Sequence, residues 1–121
     1  MIRINGVDYE LRFDLYAMEQ IEDEFGNLKS VFDMLRSGEK QVKLIRALFR
    51  IMANSALSYA GKPETVTGDE LKHLPIPRLR EVGEAARRAL DEGMKVEMSN
   101  GGEADDDIHD GYLEEIERKK D

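Results

Sequence analysis

Apolar and polar residues alternate along the first thirteen positions, and the alternation turns on one dipeptide. Asn5-Gly6 is the pair favoured at the centre of a two-residue type I′ turn, where both positions need positive φ. That turn predicts an antiparallel hairpin in which Ile4 faces Val7, Arg3 faces Asp8 and Ile2 faces Tyr9. Ile2, Ile4, Val7, Tyr9, Leu11 and Phe13 then share one face, with Arg3, Asp8, Glu10 and Arg12 on the other. A lone hairpin is marginal in water, so the apolar face requires a partner.

From Asp14 onward the period changes from two to between three and four. Asp14 is placed to cap a first helix reaching Phe25, with Leu15, Met18, Ile21 and Phe25 as its apolar stripe. Gly26 ends it and Asn27 caps a second helix, about 28–36, which turns Leu28, Val31, Phe32 and Leu35 inward. The third helix, 41–59, carries an apolar arc from Val42 to Leu57 too broad for a helix with one covered side. Either it is central to a bundle or one flank meets a partner. Lys40, Lys43, Arg46 and Arg50 form its polar edge, placed to pair with the acidic side of the first helix, to meet the acidic end of the chain or to touch phosphates. Thr67 and Glu70 have capping-box spacing around a short turn, 68–73. Pro75-Ile76-Pro77 is a rigid joint, and Pro77 opens a last body helix with Leu79, Val82, Ala86, Leu90 and Met94 as its buried stripe. Gly83 inside that helix lowers helix propensity by up to ~1 kcal/mol and points to close packing.

After Val96 the composition shifts. Residues 1–98 balance at −2, whereas 99–121 balance at −6 of the total −8. The chain therefore divides into a hairpin-plus-helical-bundle domain, 1–96, and an acidic linker with a short amphipathic helix, 97–121. Within the latter, Ile108, Tyr112, Leu113 and Ile116 line one side and are the candidate protein-binding residues, docking either on this chain or on a partner. The expected fold class is α+β, mainly α: a hairpin packed on four to five helices with a flexible acidic tail.

These features limit the chemistry. The 121 residues suit one domain and include no cysteine, which rules out disulfides, a thiolate nucleophile and cysteine-bound zinc. No apolar run approaches the ~20 residues of a membrane span, and the N-terminus lacks the apolar core of a secretory signal. A nucleic-acid binder needs a net basic face, which the overall charge does not supply. No phosphate-binding glycine loop, dinucleotide fingerprint or zinc-protease motif occurs, and His73 and His109 lie in separate regions. A calcium-loop register from Asp106 to Glu117 fails at its third position, where Ile108 offers no ligand. Acidic pairs such as Glu22 with Asp23 read as a solvated helix face. The expectation is a protein without enzymatic activity, cofactor or metal.

One stretch resembles a known family. The run from Val7 to Glu22, VDYELRFDLYAMEQIE, followed by Phe25-Gly26-Asn27-Leu28, looks like the opening of the tail assembly chaperones of long-tailed bacteriophages and prophages, in which a strand pair leads into a helix ending in an Ile-Glu-x-x-Phe-Gly phrase. Here that phrase is Ile21 to Gly26, and the order of elements to about residue 94 is similar. The resemblance implies a chaperone that coats the tape measure protein and recruits tail tube subunits in the host cytoplasm. It also implies absence from the mature virion and often a second, frameshifted form. Lys119-Lys120 is compatible with a slippery codon pair. Apolar helix surface left uncovered would also favour homo-oligomers. The competing readings are a structural head–tail connector or tail-completion protein, and a small regulatory protein-binding module.

Overall fold

The computed structural model describes residues 1–95. Its elements run β1 (Ile2–Ile4), β2 (Val7–Tyr9), α1 (Leu15–Phe25), α2 (Leu28–Ser37), α3 (Gln41–Tyr59) and α4 (Leu79–Met94), with 3-10 turns at Asp69–Leu71 and Ile76–Arg78 before α4. The strands pair antiparallel in the expected register, Ile2 with Tyr9, Arg3 with Asp8 and Ile4 with Val7. Asn5 and Gly6 take φ of 52° and 82°, as a type I′ turn requires.

The helix boundaries follow from local chemistry. The Asp14 carboxylate accepts a hydrogen bond from the Ala17 amide at 3.1 Å, and the Asn27 side-chain oxygen Oδ1 accepts one from the Ser30 amide at 2.8 Å. Each satisfies a donor that a helix start leaves orphaned. Gly26 ends α1 and Gly38 ends α2, both at positive φ.

The breadth of α3's apolar arc is explained by its central position. Leu44, Leu48, Ile51 and Met52 pack with α1, α2 and the later turns of α4, through Met18, Ile21, Val31 and Leu90. Ile45, Phe49 and Ala53 lie on the adjoining face of the same arc and pack onto Ile2, Ile4, Val66, Leu71 and Val82. Tyr9 closes over Phe49 edge-on, with ring centroids 5.2 Å apart. Each large side chain fully buried here contributes roughly 1.5–3 kcal/mol. Gly83 lies against Ile45: a Cβ there would stand 3.0 Å from Ile45 Cδ1, so its close packing is real.

The segment between α3 and α4 is held by side chains. Asn54 donates from Nδ2 to the Val66 carbonyl at 2.8 Å and accepts from the Val66 amide at 2.9 Å. The Glu70 carboxylate accepts from the Thr67 and Gly68 amides, the Thr67 bond being the Glu half of a capping box, while the Thr67 hydroxyl oxygen accepts from the Asp69 amide, two residues on. Among the described residues no helix is long and apolar enough to cross a membrane.

Four expectations change. Val7 is half exposed, because β1 is the strand that lies on α3 and α4 while β2 reaches the core only through Tyr9. Leu15 is 80% exposed. Ala17, Met18 and Ile21 make the buried face of α1, and at about 100° per residue Leu15 falls roughly a quarter-turn or more from its centre. Val42 is exposed in the first turn of α3, ahead of the part that other elements cover. Pro77 sits in the 3-10 turn, so α4 proper starts at Leu79. The fifth helix expected near residues 108–120 lies outside the described residues.

Candidate protein-binding groove

The chain between the hairpin and α1 crosses the last turns of α4, and the crossing is possible only because residue 93 is glycine. A Cβ on Gly93 would lie 2.2 Å from the Phe13 carbonyl oxygen and 2.7 Å from its ring. Phe13 is therefore buried directly against the α4 backbone. Open clefts remain on either side of this crossing. One, of about 460 Å³, is walled by Phe13, Leu15, Met18 and Met94, with Arg12, Asp14 and Glu92 on its rim. The other, of about 400 Å³, is walled by Ile2, Leu11, Ala85 and Ala89, with Glu10 and Arg88 on its rim. Both include Phe13 and Gly93, so the two form one interrupted groove along α4.

The wall of the first cleft is anchored at several points. The Arg12 amide donates to the Met52 carbonyl in α3 at 3.0 Å. The buried Ser55 hydroxyl donates to Asp14 Oδ1 at 2.6 Å, and Arg12 Nε donates to Asp14 Oδ2 at 2.9 Å. Burial of Asp14 acts to raise its pKa, but the bonds from Ser55, the Ala17 amide and Arg12 outweigh it and hold the carboxyl below its ordinary value. The Arg12 guanidinium carbon also lies 3.6 Å from the centre of the Tyr59 ring. Nearby, the Tyr16 hydroxyl donates to the Glu64 carboxylate at 2.8 Å, which raises the pKa of the phenol. Leu15 thus stands exposed on a backbone fixed to α3, and the exposed Tyr59 is tied to the same network through Arg12.

The basic edge of α3 is a lesser candidate. Lys43, Arg46 and Arg50 border a shallow depression of about 190 Å³ beside Thr67 and Gly68. Arg50 pairs with Glu24 of α1, as the charge pattern suggests, whereas Arg46 turns to Asp69 at 3.3 Å and to the Gly68 carbonyl. Internal carboxylates therefore engage two of its cations.

Ile108, Tyr112, Leu113 and Ile116, together with His109 and the calcium-loop register, lie outside the described residues. Among the described residues no group of three or more His, Asp or Glu side chains could hold a metal ion. His73 is exposed. Sequence reasoning missed the groove. Its one available signal was Gly93, a second glycine inside a helical pattern that already contained Gly83. Comparison with known protein families, curated proteins and solved structures finds no match to this chain.

Proposed function

We propose that this chain is a tail assembly chaperone of a long-tailed bacteriophage or prophage, acting without catalysis by holding the tape measure protein and bringing tail tube subunits to it. The single observation that carries the reading is the groove beside α4, where an exposed leucine stands on an anchored backbone next to Phe13, Met18 and Met94. A groove with an apolar floor and a mixed-charge rim suits an amphipathic helix laid lengthwise, its apolar side chains inward. The sequence resemblance of residues 7–28 supports this choice of partner, and the groove supports the mode of contact. On this reading the chain works in the host cytoplasm and leaves before the virion is complete.

Co-expression with the tape measure protein of the same gene cluster tests this. The chaperone is expected to move that protein into the soluble fraction and to co-purify with it. Leu15→Asp is expected to abolish co-purification while the chain itself stays folded. Equal insolubility of the tape measure protein with and without this chain would sink the proposal.

A further inference from the structure

The first cleft lies where the described chain ends. Met94 is one of its walls and Lys95 follows directly. Twenty-six residues continue from there, and the sequence divides them into a polar, acidic stretch, 96–107, and a segment with apolar residues at helical spacing, Ile108, Tyr112, Leu113 and Ile116. We propose that residues 108–116 of the same chain are the resting occupant of this cleft, docking in cis against Leu15, Met18 and Met94.

Three arguments support this occupant, and the first two favour it over a second copy. The first is reach. A twelve-residue connector spans at most about 40 Å and has a root-mean-square extension near ~20 Å if it behaves as a flexible coil. It is long enough to double back onto its own exit point. The second is concentration. A segment tethered that closely presents itself at an effective concentration on the order of millimolar, above that of any free copy at ordinary protein concentrations. The third is fit. As a helix the stripe from 108 to 116 is about 12 Å long, comparable with two turns of the α4 wall. The rim of the cleft mixes Arg12 with Asp14 and Glu92, so the contact rests on apolar burial and not on the tail's net negative charge. It is therefore distinct from electrostatic association with Lys40, Lys43 and the rest of the basic edge.

This inference rests on the groove and on where the chain leaves it, and is independent of the chaperone reading; the experiment below contains no tape measure protein. The chain has no cysteine, so Glu114→Cys gives a single attachment point for a nitroxide label on the full-length protein. The expected result is several-fold broadening of the Leu15, Met18 and Met94 methyl resonances, with Val42 and Ile76 unaffected. The broadening should be unchanged on tenfold dilution and at ~1 M salt, and lost when Leu113→Asp and Ile116→Asp are added. Leu15→Asp, at an exposed position, should also release the label. Absence of broadening at the cleft would overturn the proposal, as would broadening centred on Lys40 and Lys43. So would broadening that requires a mixture of labelled and isotopically labelled copies, because the occupant would then be a second chain.

Discussion

Asp14 does several jobs with one carboxylate. It caps α1, pairs with Arg12 and accepts a hydrogen bond from the hydroxyl of Ser55, a buried polar residue of the core. Ser55→Ala is expected to destabilise the chain by about 1–2 kcal/mol, and Asp14→Ala by about 2–3 kcal/mol through loss of the cap and an unpartnered Ser55. A double-mutant cycle read from urea midpoints should give a coupling near 1 kcal/mol or more; additivity would mean that the contact contributes nothing. Because the folded-state pKa of Asp14 is lowered, its contribution is fully present above the ordinary value of 3.8 and is lost as pH falls through the lower folded value. Urea midpoints between about pH 5 and 2 should therefore fall more steeply for the native chain than for Asp14→Asn, which cannot ionise. The two helical glycines of α4 should behave differently. Gly93→Ala drives a Cβ into the Phe13 backbone and is expected to lower stability by roughly 1–3 kcal/mol. Gly83→Ala meets only the tip of Ile45, so the gain of up to ~1 kcal/mol in helix propensity should leave it near neutral in thermal melts.

The connection from α3 to α4 shows how one side chain can stand in for a strand. Asn54 offers Val66 both a donor and an acceptor, as a neighbouring β-strand would, and so seats Val66 in the cluster around Phe49. Asn54→Ala is expected to cost about 1–3 kcal/mol, because it leaves the Val66 amide and carbonyl without these partners. Hydrogen exchange should accelerate at Val66 and through the Asp69–Leu71 turn, with α1 and α2 protected as before. Equal acceleration across all helices would mean that this connection is not a separable element. In α1, the exposure of Leu15 means that Leu15→Asp in a chain ending at residue 95, where no tail can be released, should shift stability by no more than about 0.5 kcal/mol, which makes it a clean probe of binding.

Across the molecule, α3 is the common floor. The bundle of α1, α2 and late α4 packs on one of its faces, and the hairpin, the connection and early α4 pack on the adjoining one. Both clusters share this helix, so they are expected to melt together. A chain ending at residue 95 should keep a single cooperative unfolding transition, with stability lowered by no more than about 1–2 kcal/mol where tail docking is removed. Loss of cooperativity in that shortened chain would mean that the C-terminal residues complete the core.

Much of this architecture could be read in advance because it is local. Asn5-Gly6 determines the turn, and the turn sets the hairpin register, since both depend on backbone preferences of adjacent residues. Asp14, Gly26, Asn27 and Gly38 set the helix ends for the same reason. Periodicity assigned the core stripes but blurred their edges. Leu15, Val7 and Val42 are apolar and rightly spaced, yet whether a position is covered depends on what crosses it. That is a property of elements distant in sequence. Tertiary structure alone brought Ser55 to Asp14 across 41 residues and laid Phe13 on Gly93, leaving a cleft on either side. A groove is the space between elements, and no residue's own preference encodes it. It exists because α4 can approach the Phe13 backbone only where a side chain is missing.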